Sequence, residues 1–529
     1  MMASTVWLLL MLELAGGIEG VVLDPAGAPV RGAEVSLRTA QQAQAAQGRT
    51  DGEGRFSLTP PTGGSYLLRV EARGFAPYQA AVHLAAGAVA RHTARLSLSP
   101  VSSEVTVSAE VGSVVAAAET AQRITTLERS EIEERAVTTL TEAARGLAGV
   151  AEQRTAPAMG GFFVRGLTGK NVAVYRDGVR YTTSAQRGGV STFQNLVDAS
   201  WLERVEMVRG PHSAQYGSDS MGGAVHLVSG APSFAAGEPE VRAEQGFFYH
   251  SASNSFGEQT RVSVAGRRVA ALAAVAARRV NRTRAGQGQD SRAAVRRFLG
   301  LDPAIFGERL NDTGFTQYGG MVRLQAQASP LDHVSLHYER GQQDGARRYD
   351  QLQGGDGNLI ADLRNLMLDF GYVRWERFQA GWLDRASASA SYNAQREERV
   401  NQGGQGNAAG AIAHQYERLS SWGVQAQGEK RGRGHTLAGG LEGYRERMKS
   451  PAYSWSPVTG AVTRTRPRVP DGAEYASYGI FVQEAWSPAA AGRLRVTGAL
   501  RWGGGAYRAP GDSLTASGWT GRVGAVVRA

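Results

Sequence analysis

The sequence predicts a mainly β chain with a mixed α/β segment in its middle. Three observations carry that expectation: short, turn-punctuated strands over residues 18–100, a change of texture over 103–230, and long period-two alternation after 230. In the first stretch the strands are placed at Ile18–Leu23, Ala33–Arg38, Arg55–Thr59, Tyr66–Glu71 and Ala80–Leu84. Asp51-Gly52-Glu53-Gly54 supplies the positive-φ positions of a tight turn. Phe56 and Leu58 alternate with Ser57 and Thr59, and Leu68 and Val70 with Arg69 and Glu71, as in a small β-sandwich.

In the middle stretch Thr139-x-x-Glu142 is a capping box. It is followed by Leu140, Ala143, Ala144 and Leu147 at helical spacing, which predicts one amphipathic helix ending near Gly149. After 230, Arg385, Ser387, Ser389, Ser391 and Asn393 alternate with Ala386, Ala388, Ala390, Tyr392 and Ala394. The same pattern recurs at Val322–Ala328, Val334–Glu339 and Arg493–Trp502. Such strands approach the about 9–11 residues that cross a bilayer, longer than the about 5–6 of soluble sheets. Short turns such as Ser329-Pro330-Leu331-Asp332 contrast with long polar excursions, Asn281–Gln317 and Gly341–Leu366. That asymmetry is the one seen in outer-membrane barrels, whose long loops face outward.

Composition narrows the function. The longest apolar run, Val6–Leu12, is far shorter than a membrane-spanning helix, but a barrel averages to neutral hydropathy, and the mean here is −0.29. Met1–Thr5 ahead of that run, with Ala15-Gly16-Gly17 behind it, has the outline of a signal peptide lacking its basic start, so 1–17 is assigned as its remnant. The absence of cysteine excludes thiolate zinc sites and cysteine nucleophiles. A net charge of +10 would suit nucleic acid, yet arginine is scattered through alternating segments rather than massed in one stripe, so no nucleic-acid partner is expected. The nine histidines, at 83, 92, 212, 226, 250, 333, 337, 414 and 435, are dispersed. His333 and His337 share a strand face with no third ligand beside them. Neither an enzyme, a metal site nor a cofactor is expected.

Two resemblances follow from motifs. "GIEGVVLDPAGAPVRGAEVSL" with "TDGEGRFSLTPPTGGSYLLRVEARGFAPYQ" resembles the carboxypeptidase regulatory-like domain, an accessory module without the peptidase zinc pair. The ordered blocks "FFVRGL", "VAVYRDGVR" and "LERVEMVRGPHSAQYGSDSMGGAVHLVS" resemble the plug domain of TonB-dependent outer-membrane receptors. An adhesin-like barrel, the competing class, would not account for these blocks. The plug residues that carry the likeness are Arg165, Gly166, Asp177, Gly178, Arg209, Gly210, Pro211, Tyr216, Gly217, Gly222 and Gly223. Tyr175-Arg176 ahead of the Asp-Gly pair, where apolar residues are usual, and His212 after Pro211 depart from the family pattern.

The resemblance implies an N-terminal sandwich (18–100), a linker (101–110), a mixed α/β plug (111–230) and an antiparallel transmembrane barrel (231–529). About 12–14 barrel strands fit, short of the 22 of plugged transporters, so the barrel is expected to be incomplete and the chain truncated at its C-terminal end. By position Glu104, Val105, Thr106, Val107, Ser108 and Ala109 correspond to a TonB box, a peptide that pairs by strand addition with the TonB–ExbB–ExbD energy-coupling complex. The implied function is uptake of a scarce ligand, an iron-siderophore or haem by family default, with carbohydrate or peptide next. Outer-membrane lipid would surround the barrel, and the N-terminal domain would lie in the periplasm. Ligand contacts are expected on the plug apex, Arg154–Gly161 and Tyr181–Val190, with Arg154, Tyr181 and Arg187 as candidates. On an outer loop His414 and Tyr416 are the groups able to ligate haem iron.

Overall fold

The computed structural model describes residues 16–24, 27–72, 75, 78–85, 87–96, 105–106, 115–116, 120–185, 189–235, 238–284, 309–310, 312–352, 358–403, 406–432, 434–488 and 494–527.

Seven strands form the N-terminal sandwich: β1 (Gly17–Leu23), β2 (Glu34–Arg38), β3 (Gln44–Arg49), β4 (Arg55–Leu58), β5 (Gly64–Glu71), β6 (Tyr78–Leu84) and β7 (Val89–Arg95). They make two sheets, β4-β1-β7 and β3-β2-β5-β6. The inward-alternating residues Ile18, Val22, Val35, Leu37, Phe56, Leu58, Leu68 and Val70 fill the space between them. Strands β3 and β7 were not among those expected. Their residues, QAAQGR and VARHTAR, carry little apolar alternation, and both are held by neighbours rather than by propensity.

The plug follows two dipeptide strands, β8 (Val105–Thr106) and β9 (Val115–Ala116). Its strands are β10 (Arg123–Glu128), β11 (Val150–Ala156), β12 (Met159–Val164), β13 (Val172–Arg176), β14 (Val179–Arg180), β15 (Leu202–Arg209) and β16 (Gly223–Ser229). The order β10-β15-β16-β13-β14 gives a mixed sheet, with β13 parallel to β16, and β11-β12 stands apart as a hairpin. Helix α1 (Arg129–Glu134) and the single turn α2 (Ser213–Tyr216) flank it. The helix expected after Thr139 is shorter and tighter than its spacing suggests. Both hydrogen bonds of the capping box form, but only a 3₁₀ turn, Leu140–Ala144, follows. Arg145 returns to extended geometry, and Gly146 and Gly149 adopt φ of 81° and 71°, so the turn cannot propagate to Leu147.

The remaining strands form one antiparallel meander: β17 (Glu240–His250), β18 (Ser255–Ala265), β19 (Val269–Val280), β20 (Phe315–Gln327), β21 (Asp332–Asp344), β22 (Ala346–Arg347), β23 (Ile360–Ala380), β24 (Leu383–Gln402), β25 (Ile412–Gly432), β26 (His435–Lys449), β27 (Ala452–Trp455), β28 (Val462–Arg464), β29 (Glu474–Trp486), β30 (Leu494–Ala509) and β31 (Asp512–Val527). Twelve of them pair in sequence order, with β17 and β31 at the two ends of the sheet and β22, β27 and β28 as short additions. One turn of helix, α3 (Tyr349–Leu352), lies in an outer loop.

Most of the long strands have a buried phase toward the plug and an exposed phase away from it, while the end strands β17 and β31 have no buried residue. Along β25, Glu417, Leu419, Ser421 and Gln425 are buried while Trp422 and Val424 are 65% and 57% exposed. The exposed phase is largely apolar and is bounded by aromatic residues, as a lipid-facing wall requires. One ring holds Tyr338, Tyr392, Trp422, Tyr478, Trp502 and Trp519; Trp375 and Trp486 stand near the short-turn end. Tyr478 and Trp486 are eight residues apart on β29, about 27 Å along the strand and about 20 Å in height once tilted, close to the apolar band of such barrels.

Candidate functional site

The plug touches the wall through the tip of the β13–β14 hairpin. Asp177 and Gly178, at φ of 50° and 78°, form the two-residue turn that Asp-Gly favours. The Asp177 carboxylate accepts from the backbone N–H of Ser229 at 2.8 Å, its hydroxyl at 2.6 Å and the Tyr372 hydroxyl at 3.0 Å. Arg323 approaches it at 3.5 Å, Arg374 donates to the Asp177 carbonyl at 2.7 Å, and Gln425 donates to that of Gly178 at 3.3 Å. Burial alone would raise the Asp177 pKa, but the guanidiniums of Arg323 and Arg176 outweigh it and hold the carboxyl well below its usual range. Arg176 donates twice to Glu339, at 3.0 and 2.6 Å, with both side chains fully buried. One turn of the plug is thereby clasped by β20, β21, β23 and β25.

The other plug-motif residues shape the turns behind that tip. Arg165 and Gly166 adopt φ of 51° and 80°, and the Arg165 guanidinium lies against Gly210, where a Cβ would come within 2.9 Å of it. The Gly210 N–H donates to Gly222 at 2.8 Å, Arg209 donates to the Ala148 carbonyl, and Pro211 leads into α2, which Gly217 ends at φ 82°. At Gly223, φ 151°, a Cβ would stand 2.1 Å from the Val208 carbonyl oxygen. The departures from the family pattern have structural partners. Tyr175 stacks on His226 at 5.2 Å and 8° and donates to the Tyr216 carbonyl, Arg176 takes Glu339, and the His212 ring meets Arg522 of β31 at 2.6 Å.

The described residues of the plug apex are tied to the plug core and to the wall. The stretch Arg154–Gly161, where ligand contacts are expected, is mostly the β11–β12 hairpin, with Ala156, Ala158 and Met159 in the core. Arg154 is engaged by Glu142 and by Glu152 at 3.9 Å. Tyr181 is 1% exposed and donates to the Phe193 carbonyl at 2.5 Å, so it is a core residue in this arrangement. Arg187 lies outside the described residues. Next to it, Thr183 donates to Gln395 at 2.8 Å, the Ser184 N–H to Glu446 at 2.8 Å and Thr192 to Glu397 at 2.5 Å. Arg468 donates to the Ala185 carbonyl at 3.0 Å while paired with Glu417.

His414 and Tyr416 are placed against expectation. They share the phase of Trp422 and Val424, so they sit on the outer surface of the wall and not on its plug-facing side. His414 stacks on Tyr453 at 4.8 Å and 8° and approaches Glu398 at 3.4 Å; Tyr416 lies 6.3 Å from the Tyr453 ring. The two polar excursions of the sequence instead meet around a cavity of about 580 Å³, lined by Arg279, Arg282, Arg309, Arg347, Asn254 and Asp312 among others. Sequence reasoning missed Arg323, Glu339, Tyr372 and Arg374. Their polar phase was visible in the alternation, but not the partner each would meet. No group of three or more histidine, aspartate or glutamate side chains suited to a metal ion occurs among the described residues. In the candidate TonB box, Val105 and Thr106 pair antiparallel with Ala116 and Val115. Glu104, Val107, Ser108 and Ala109 lie outside the described residues.

Three known families match. Residues 17–97 match the carboxypeptidase regulatory-like domain, 116–224 the TonB-dependent receptor plug domain, and 300–529 the TonB-dependent receptor-like β-barrel. A stretch of 106 residues is 38% identical to the vitamin B12 transporter BtuB of Vibrio vulnificus, covering 20% of this chain and 17% of that one. Among solved structures, the copper transporter OprC superposes with a TM-score of 0.60 at 13% identity, covering 76% of this chain and 59% of that one. The FrpB iron transporter of Neisseria meningitidis gives 0.59 at 13% identity, covering 77% and 62%. The chain thus spans about three-fifths of the length of these two structures, and at such identities the likeness is one of fold. Plug, barrel wall and accessory sandwich together show that the chain belongs to the TonB-dependent outer-membrane receptors, with a carboxypeptidase regulatory-like domain ahead of its plug.

Proposed function

We propose that this chain serves the uptake of a scarce iron chelate, a siderophore complex or haem, across the outer membrane, with energy supplied through TonB and its ExbB–ExbD partners. The observation that carries the reading is the plug apex hydrogen-bonded to the wall through Gln395, Glu397 and Glu446. Plug and wall must separate there for a solute to pass, and hydrogen bonds of this kind, each worth about 1–3 kcal/mol net, are within reach of a mechanical pull. The cavity between the two polar excursions supports an anionic ligand, since among the described residues its rim carries four arginines to one aspartate. Of the transporters it resembles, one is named for iron, and the others for copper and vitamin B12.

Coupling is assigned to Glu104–Ala109, ahead of the plug and beside a sandwich that this reading places in the periplasm. Proline at Val105 removes a main-chain donor and blocks strand addition. In cells carrying the intact gene, Val105→Pro is expected to abolish energy-dependent accumulation of a radiolabelled ferric chelate while surface binding stays within about twofold. Undiminished uptake would place the coupling peptide elsewhere. Uptake of an oligosaccharide but of no iron chelate would favour the carbohydrate alternative.

A further inference from the structure

The outer surface of the wall carries a row of cations that the uptake reading does not use. Arg396 of β24 stands directly opposite Arg418 of β25, which stands directly opposite Lys449 of β26. All three lie on the exposed phase, shared with Trp422 and Val424, and so point away from the plug. Arg445 and Arg447 continue the patch toward the membrane, each 62% exposed, and Arg340 borders it on the other side. Three carboxylates answer these six cations. Asp369 is shared by Arg340 and Arg396 at 3.5 and 3.8 Å, Glu474 by Arg445 and Arg447 at 3.0 Å each, and Glu398 turns to Asn365 and His414. Among the described residues neither Arg418 nor Lys449 has a carboxylate partner; Arg418 only overlies the Tyr416 ring at 5.8 Å.

Like charges directly opposite on neighbouring strands destabilise a sheet, so three in a row call for an anion between them. Depth identifies which. The row begins four residues beyond Trp422, about 13 Å along the strand and about 10 Å in height at the usual tilt. The headgroup layer is about 5–8 Å thick, and long basic side chains reach down along the wall to it. Guanidiniums bind phosphate through paired hydrogen bonds, and an ammonium adds a point charge. We propose that Arg396, Arg418 and Lys449, with Arg445 and Arg447 beneath them, form a docking site for the phosphates of an anionic lipid headgroup in the leaflet around the barrel. The site faces lipid and not the lumen, so its ligand is a membrane component and not the transported solute.

The inference rests on the outer-membrane reading, and the test keeps the two apart. The full chain, extracted in detergent, is titrated with a diphosphorylated lipid A and with its dephosphorylated form, and bound lipid is counted by native mass spectrometry. The phosphorylated lipid is expected to bind and the dephosphorylated one not. Each cation near an anionic headgroup contributes about fivefold, so Arg396→Gln with Arg418→Gln and Lys449→Gln weakens binding about a hundredfold. Arg377→Gln with Lys430→Gln, at the opposite rim, changes it less than about twofold. Equal binding of both lipids, or equal loss in both variants, overturns the site while leaving the barrel intact. A wild-type chain that does not fractionate with outer membranes overturns the membrane reading and the site with it.

Discussion

The rings of Tyr175, Tyr216 and His226 form a triangle with centroids 4.8–5.2 Å apart, and the His212 ring lies 6.1 Å from that of Tyr216. Burial lowers the pKa of His226 to about 4, and burial together with Arg522 lowers that of His212 to about 3. Both are therefore neutral in the folded plug, while in an unfolded chain each binds a proton near pH 6.5. Between those values the unfolded state holds more protons, so stability contributed here is full above about pH 6.5 and falls as pH drops toward 4. The shift at His226 corresponds to a loss of about 3 kcal/mol. Thermal melts of the purified receptor are expected to fall between pH 6.5 and 4, and His226→Gln should flatten that part of the curve. An unchanged slope would show that other groups control acid sensitivity. The sequence marked His212 as atypical but could not show why, because its partner lies 310 residues away. For His414 and Tyr416 the signal was present. Counting by twos from Trp422 puts them on the lipid side, and identity alone had suggested a ligand site.

At the scale of elements, the long barrel strands were legible because lipid on one side and plug on the other impose a period of two. The polar turns of the plug were legible because Asp-Gly and the glycine pairs demand particular backbone angles. The tip of the β13–β14 hairpin shows what remained hidden: the motif specified the turn, while the wall residues that clasp it come from four separate strands. Turn and clasp can be tested separately. Asparagine forms the Asp-Gly type of turn as well as aspartate does, so Asp177→Asn keeps the backbone and removes only the carboxylate. Arg323 is then left buried without its counter-charge, and the amide would have to face the Ser229 and Tyr372 donors. Breaking one side of a buried pair costs about 3–5 kcal/mol. The variant plug is expected to become sensitive to protease at temperatures where the wild type resists. Equal resistance would mean that the shape of the turn, and not its charge, holds the plug to the wall.

Across the whole molecule, the sandwich is not a bead on a string. It sits against the short-turn end of the wall, where Phe378 enters the sandwich core and Leu331 packs on it, and Arg385 lies 5.5 Å from both the Tyr66 and the Phe378 rings. Thr39 donates to Glu376 at 3.4 Å, and Arg38 to Ser233 at 2.7 Å. The plug is held through Arg69, which meets Glu203 at 2.7 Å, near the start of β15, the strand that runs into the Arg209-Gly210-Pro211 part of the plug motif. Burial would raise the Glu203 pKa, but Arg69, Arg261 and Arg129 bring it down to about 2. The clasp is therefore at full strength above about pH 4.3 and fades only as pH falls toward 2. Under the uptake reading, a domain docked at once on plug and wall has to yield when the plug moves. Because the chain has no cysteine, Glu34→Cys and Arg242→Cys, whose long native side chains meet tip to tip at 2.5 Å, can be joined by a short bifunctional maleimide, which reports docking without background. Adding Arg69→Met leaves Glu203 buried beside Arg261 alone among nearby contacts at 3.7 Å, and the rate of cross-linking is expected to fall severalfold. If the rate is unchanged, the sandwich is held by the wall, and the plug can move beneath it without releasing it.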